Sequence, residues 1–167
     1  MSSSPNEKAA AYNFPSFSGE YRIGGDTAEA LDAPPGTGRI VLAEDDPGVR
    51  RATRLILEDL GYQVEAYASG PELLAALEND DRPVQLLLTD FEMPGLTGYD
   101  LARRLRALRP DAKVLLMSGS AEETITRRKK PDDWPPFISK PFTARSLGRK
   151  LREILDVQDA VVDEARA

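Results

Sequence analysis

Hydrophobic and polar positions change their period repeatedly between residues 39 and 156. Short apolar runs such as RIVLAE (39–44) and PVQLLLTDF (83–91) have the length and composition of buried strands. Between such runs lie longer segments whose apolar residues recur every three or four positions, as in PGVRRATRLILEDLG (47–61). The changing period therefore predicts short strands separated by amphipathic helices.

Strand-like and helix-like segments follow one another in strict alternation. The predicted strands cover residues 39–44, 62–68, 83–91, 112–119 and 136–139, and the predicted helices cover 47–61, 69–80, 97–110, 120–130 and 143–156. This alternation implies a parallel sheet with right-handed crossovers and helices on both faces. We therefore expect an α/β fold, doubly wound around five parallel strands.

The chain outside this region lacks a sustained period. Residues 1–38 are rich in Ser, Pro, Gly and Ala, which predicts a disordered or loosely packed leader. Its aromatic stretch YNFPSFSGEY (12–21) either packs loosely or not at all, or it serves as a docking motif or as an arm that lies on the domain. PPGTGR (34–39) resembles a phosphate-binding loop, but it leads into a strand and lacks the required Lys, so it is better interpreted as a linker. We expect one domain over 39–156 and a tail or helix extension over 157–167.

Composition excludes several kinds of site. The 167 residues contain no His and no Cys, which rules out disulfides, imidazole bases, and zinc sites built from thiolates or imidazoles. Any metal must therefore bind oxygen ligands, which favours Mg²⁺, Mn²⁺ or Ca²⁺. A net charge of −6 argues against direct nucleic-acid binding. Since no long apolar span or secretory signal is found, we expect a cytoplasmic location and no membrane partner.

Polar residues follow the predicted strands at the points where these end. They are Glu44, Asp45 and Asp46 after the first strand, Asp90 after the third, Ser118 after the fourth and Lys140 after the fifth. Because parallel strands end at one edge of the sheet, these side chains should converge there. Crowded carboxylates favour a hard divalent cation, and a nearby ammonium and hydroxyl suggest a bound anion, most simply a phosphoryl group. Taken singly, each residue could also be a helix cap or a solvated charge.

The order and spacing of these residues resemble the receiver domain of two-component response regulators. The resemblance covers roughly residues 38–156 and includes the loop DFEMPGLTGYDL (90–101). It implies a flavodoxin-like sheet with strand order 2-1-3-4-5. The residues that match the family's site are Glu44 and Asp45 (acidic pair), Asp90 (phosphoacceptor), Ser118 (hydroxyl) and Lys140 followed by Pro141.

The resemblance also implies a function. Asp90 would accept a phosphoryl group from a histidine kinase or a histidine phosphotransfer protein, and Mg²⁺ would assist. Asp45, Asp90 and the backbone carbonyl of Glu92 would bind the metal, while Glu44 would act through water. Such a domain is not an enzyme beyond its own phosphorylation and dephosphorylation. Asp46 lies one residue past the acidic pair and is interpreted as helix N-terminal charge.

The resemblance further implies a switch. Ser118 and Lys140 would bind phosphoryl oxygens, and Ser118 together with Phe137 would change conformation. Phe137 can rotate inward, but it has no hydroxyl with which to form a hydrogen bond. Prolines at 131, 135 and 136 shorten the predicted fourth helix. The motifs resemble receivers attached to hybrid histidine kinases more than those of transcription factors.

Two other functions remain open at this point. A degenerate receiver could serve only as a protein-binding scaffold. A phosphohydrolase resembling the haloacid dehalogenase group would also use Asp, Ser, Lys and Mg²⁺. That group, however, places its nucleophile after the first strand as Asp-x-Asp, whereas Asp90-Phe91-Glu92 follows the third.

Overall fold

The computed structural model describes residues 36–119 and 134–155. The strands are β1 (Arg39–Ala43), β2 (Gln63–Tyr67), β3 (Leu86–Asp90), β4 (Lys113–Ser118) and β5 (Phe137–Ser139). The helices are α1 (Pro47–Asp59), α2 (Gly70–Glu78), α3 (Gly98–Leu108) and α4 (Ala144–Leu155). Each lies within a segment that the sequence predicts for it. The helix predicted over 120–130, the aromatic stretch of the leader and the tail over 157–167 lie outside the described residues.

The five strands form one parallel sheet in the order β2-β1-β3-β4-β5. The register pairs Leu42 of β1 with Leu88 of β3, and Leu88 with Leu115 of β4. The doubly wound fold and the strand order 2-1-3-4-5 are thus confirmed. Because the order reverses between β1 and β3, the loops that follow these two strands leave the sheet in opposite directions and open a crevice at its carboxyl edge.

Apolar side chains bury both faces of the sheet, because alternate residues of each central strand point to opposite sides. Ile40 and Leu42 pack with α1 and α4 in one cluster. Val41 and Ala43 pack with α2 and α3 in the other. Continuous apolar runs such as LLL in β3 are therefore required by a sheet that is covered on both sides.

Side-chain caps fix where all four described helices begin, with Thr143 as the cap of α4. Asp46 accepts a hydrogen bond of 2.8 Å from the backbone N–H of Val49 at the start of α1. Ser69 caps α2 and Thr97 caps α3 in the same way. Each cap contributes about 1 kcal/mol by satisfying a donor that the helix leaves unpaired. In the described ranges, none of the helices combines the length and apolar composition needed to cross a bilayer.

An ion cluster around the buried Arg39 joins the start of β1 to β2 and to the loop before β3. The Arg39 guanidinium, only 6% exposed, lies 2.7 Å from Glu65 Oε2 and 2.6 Å from Asp80 Oδ2. Arg82 lies 2.9 Å from Glu65 Oε1. Burial lowers the pKa of Arg39, but the hydrogen bond and charge of Glu65 outweigh it and raise that pKa. The hydrogen bond from Arg39 lowers the pKa of Glu65.

This cluster predicts how stability depends on pH. Glu65 has a lower pKa in the folded chain than its ordinary 4.5. The contribution of Glu65 to the free energy of unfolding is therefore fully present above about pH 4.5. It is lost as pH falls through the lower pKa of the folded state. We expect Glu65→Gln to lose about 1 kcal/mol of unfolding free energy at neutral pH. The deficit relative to the unsubstituted chain should shrink in acid, which denaturant titrations at several pH values will measure.

Glu78→Gln is the matched control for this experiment. Glu78 is exposed at the end of α2, and its substitution should leave the pH dependence of stability parallel to that of the unsubstituted chain. If the Glu65→Gln deficit were constant down to strongly acidic pH, the ion cluster would not be the source of the effect.

Candidate functional site

Three carboxylates lie together at the carboxyl edge of the sheet. Oxygen atoms of Glu44, Asp45 and Asp90 all lie within 4.8 Å of one another. Glu44 is 1% exposed and Asp90 is 6% exposed, whereas Asp45 faces solvent. The donors are all oxygen atoms, and one of the three side chains is accessible, so the cluster fits a hard cation such as Mg²⁺.

Lys140 connects the two buried carboxylates. Its Nζ lies 3.3 Å from Glu44 Oε2 and 3.2 Å from Asp90 Oδ1. The backbone N–H of Lys140 donates to the carbonyl of Ser118 at 2.8 Å, which ties the residue to the end of β4. The residues that follow β1 and β5 and the last residue of β3 are thereby brought to one point, as the sequence predicts.

Burial and the neighbouring charges shift the pKa of each of the three connected groups. Burial and the neighbouring Asp90 carboxylate raise the pKa of Glu44 to about 7, although Lys140 acts in the opposite direction. Burial likewise raises the pKa of Asp90. Burial would lower the pKa of Lys140, but the two carboxylates outweigh it, so that pKa is raised. The site thus brings three carboxyl groups together with a single ammonium.

The third acid of the run Glu44-Asp45-Asp46 has a separate role. Its side chain caps α1, and its backbone N–H donates to Glu44 Oε1 at 3.2 Å. Asp46 is absent from the group of carboxylates that converge in the described part of the chain. It contributes helix N-terminal charge, in line with the sequence interpretation.

The remaining predicted residues lie around this cluster. Ser118 is buried at the end of β4, one residue beyond Met117, which pairs with Asp90. Glu92 has an exposed side chain, and its backbone N–H donates to the Asp90 carboxylate. Phe137 is half-buried and packs against the cluster of apolar residues under α2 and α3. The roles of these residues as ligands or switch elements stay predictions.

The sequence does not predict the aromatic stack that lies next to the site. Trp134 stacks on Tyr99 of α3 with ring centroids 4.9 Å apart and planes 15° apart. It also contacts Phe91, the residue after Asp90, at a centroid distance of 5.8 Å. Trp134 is distant in sequence from both Phe91 and Tyr99, and aromatic composition alone gives no signal of their pairing.

Arg50 on α1 was also missed. Its Nη1 donates to the carbonyl of Glu44 at 2.7 Å and to that of Asp45 at 3.0 Å. The available signal was its position four residues after the helix cap Asp46, which places it over the loop that precedes the helix. A half-buried Arg on an amphipathic helix would otherwise be assigned to the solvated face.

Gly98 allows α3 to begin directly against the site. A Cβ added at Gly98 would lie 2.2 Å from the carbonyl oxygen of Asp90. The backbone N–H of Gly98 donates to the carbonyl of Phe91 at 3.0 Å. Only a residue without a side chain fits this close approach of two backbones.

Comparison with protein families identifies a match over more than half of the chain. Residues 40–152 match the family described as the response regulator receiver domain. The matched segment contains all the residues of the acidic cluster together with Lys140, Ser118 and Phe137.

Individual relatives are of two kinds. The chain is 35% identical over 124 residues to the sensor kinase CckA of Brucella abortus, a match that covers 74% of this chain but 13% of that kinase. It is 36% identical over 121 residues to the response regulator receiver protein CpdR of the same organism, covering 70% of this chain and 96% of CpdR.

A solved structure supports the same fold. The chain resembles a CheY-like receiver domain protein from Methanospirillum hungatei with a TM-score of 0.65 and 32% identity, over 75% of this chain and 98% of that one.

The contact at Gly98 predicts the effect of a single methyl group. Ala is the better helix former, which alone would favour Gly98→Ala by up to about 1 kcal/mol. The clash with a backbone atom should outweigh this and destabilise the fold by about 1–3 kcal/mol. Gly119→Ala is the control, since no atom of the described residues lies within 4 Å of its added Cβ. Thermal melts in which both variants match the unsubstituted chain would contradict the observed contact.

Proposed function

Because the chain belongs to the response regulator receiver domain family of two-component signalling, we propose that it accepts a phosphoryl group on Asp90 from a histidine kinase or a histidine phosphotransfer protein. The observation that carries this proposal is the contact of Lys140 Nζ with both Asp90 at 3.2 Å and Glu44 at 3.3 Å. An ammonium held against the acceptor oxygen is suited to bind the anion that phosphorylation adds.

Mg²⁺ is the proposed cofactor. Asp45, Asp90 and the backbone carbonyl of Glu92 would hold it, and Glu44 would act through a water molecule. When bound, the metal supplies positive charge that offsets the carboxylates and the incoming phosphoryl oxygens. The all-oxygen donor set and the excess negative charge of the cluster support this assignment.

The chemistry that this proposal requires of the protein is limited. A carboxylate oxygen of Asp90 attacks phosphorus, the bond from phosphorus to the donor's imidazole nitrogen breaks, and the imidazole leaves. Lys140 and Ser118 bind the phosphoryl oxygens. The burial of Asp90 keeps its carboxylate poorly hydrated, which raises its reactivity towards phosphorus.

We propose that phosphorylation is transmitted through Ser118 and Phe137. Movement of Ser118 towards the phosphoryl group would vacate space for the ring of Phe137, which is half-buried beside the apolar cluster. Trp134 contacts Phe91 and lies three residues before Phe137, so it adjoins this region. A partner protein would bind the altered surface.

The remaining expectations from the sequence are part of the same proposal. The receiver domain would span residues 39–156, function in the cytoplasm and have no catalytic activity towards other substrates. The chain spans a small part of the related sensor kinase but nearly all of CpdR, so both a kinase-attached and a separate receiver are consistent with it.

Replacement of the acceptor gives the first test. Asp90→Asn should abolish covalent labelling by acetyl phosphate with Mg²⁺, because a carboxamide is a far weaker nucleophile and carries no charge. Asp111→Asn makes the same chemical change in the turn before β4, at the amino ends of the strands and away from the site. This variant should be labelled normally. Intact-protein mass spectrometry measures both.

Three results would contradict the assignment. Labelling of Asp90→Asn at the normal stoichiometry would mean that the acceptor is another residue. Absence of labelling in the unsubstituted chain would favour the degenerate scaffold. Sustained turnover of a generic phosphate ester would favour a phosphohydrolase.

Metal binding should stabilise the fold. Millimolar Mg²⁺ should add about 1–3 kcal/mol to the free energy of unfolding if its affinity is sub-millimolar. Asp45→Ala should raise stability without metal, since it relieves repulsion, and should reduce the gain on adding Mg²⁺. Asp111→Ala, the matched control, should keep the normal gain. Thermal melts of the unsubstituted chain that are indifferent to Mg²⁺ would count against the whole metal site.

Trp134, the single Trp of the chain, offers a readout of the switch. Beryllofluoride, which mimics a phosphoryl group, should change its emission, since burying the Phe137 ring is worth about 1–3 kcal/mol and can shift a two-state population. The change should be much smaller in Lys140→Ala and Ser118→Ala, but normal in Lys113→Ala. If the first two variants respond normally while binding beryllofluoride equally well, the signal leaves the site by another route.

A further inference from the structure

One guanidinium supports the backbone of the acidic loop. Arg50 Nη1 donates to the carbonyl of Glu44 at 2.7 Å and to the carbonyl of Asp45 at 3.0 Å. Strand pairing ends at Ala43, so these two carbonyls lie beyond the ladder of β1. Their orientation sets the peptide planes on either side of Asp45 and hence the direction of its side chain.

Asp45 depends on this support more than the other two acids do. Glu44 is fixed by Lys140 and by the N–H of Asp46. Asp90 is fixed by Lys140 and by the N–H of Glu92. Among the residues that the structure describes, no hydrogen bond or ion pair holds the exposed carboxylate of Asp45, so its placement relies on its backbone.

We propose that Arg50 is a positioning residue that orients Asp45 for binding a divalent cation, an inference that rests on the proposed function. One guanidinium nitrogen, Nη1, donates to two successive carbonyls, and its two N–H groups lie in the fixed plane of the guanidinium, whereas the N–H groups of an ammonium rotate. The residue acts through the backbone of Asp45 and touches neither the metal nor the phosphoryl group.

Charge and orientation predict opposite effects of removing Arg50. As a cation near the acidic cluster, Arg50 repels a metal ion, so charge alone predicts tighter Mg²⁺ binding when it is lost. If orientation dominates, binding weakens. The sign of the change in the dissociation constant therefore distinguishes a positioning residue from a bystander charge.

The test measures Mg²⁺ binding by isothermal titration calorimetry at a temperature well below the melting point. Arg50→Met should weaken Mg²⁺ binding by about tenfold. This is the smaller of the effects usually seen when a residue that orients a metal ligand is removed. Arg50→Lys should recover part of the loss, because an ammonium can still reach one carbonyl. A general loss of stability would lower the melting temperature of both variants. It would not make the dissociation constant of Arg50→Met larger than that of Arg50→Lys.

Arg54→Met is the matched control. Arg54 lies one turn further along α1, is 52% exposed, and pairs with Glu58 instead of the acidic loop. Its loss should leave the dissociation constant within about twofold or make binding slightly tighter. If Arg50→Met does not fold, Arg50→Gln provides the same comparison, since it keeps a hydrogen-bond donor without the charge and should bind Mg²⁺ more weakly than the unsubstituted chain.

The inference and the proposed function can fail separately. Unchanged or tighter Mg²⁺ binding by Arg50→Met, or by Arg50→Gln where that variant replaces it, would overturn the positioning role even if Asp90 of the unsubstituted chain is labelled. If the unsubstituted chain neither binds Mg²⁺ nor accepts a phosphoryl group, the proposed function is wrong and the role of Arg50 falls with it.

Discussion

Everything at the carboxyl edge depends on how two buried carboxylates are compensated. Glu44 and Asp90 are almost inaccessible, and burying a charge is costly unless it is paired. Lys140 pairs with both, yet it comes from the end of β5, two strand spacings from β3, a distance of about 10 Å. A long side chain is needed to cross β4, which explains why an ammonium at this edge strand can serve an acid at the centre of the sheet.

Much of this arrangement could be predicted from local pattern. The apolar run of β3 must be buried on both sides, and a parallel sheet with two helical layers is the fold that does this. Strand ends then converge, so the positions of Asp90, Lys140 and Ser118 followed from topology without any distance being known. Boundaries were less well predicted. The apolar run beginning at Pro83 suggested an earlier start, but Val84 packs in the core before β3 begins at Leu86.

Side-chain pairing between distant segments could not be predicted in this way. Arg39 and Asp80 are 41 positions apart, and nothing in either segment indicates the other. The stack of Trp134 on Tyr99 joins a residue that precedes β5 to one at the start of α3. Arg50 has the helical spacing of an ordinary polar residue. These contacts arise from tertiary geometry, which periodicity does not encode.

The buried and exposed members of the acidic cluster have different roles. The buried pair holds Lys140, and the exposed Asp45 supplies a carboxylate that solvent can reach. Asp90 belongs to the buried group, and its backbone carbonyl also contacts Gly98 at the start of α3. The next residue, Phe91, contacts Trp134. A change of charge at Asp90 therefore acts on a residue whose neighbours include both a helix start and an aromatic stack. Since packed interiors have little free volume, a displacement there must be accommodated by these neighbours rather than absorbed locally.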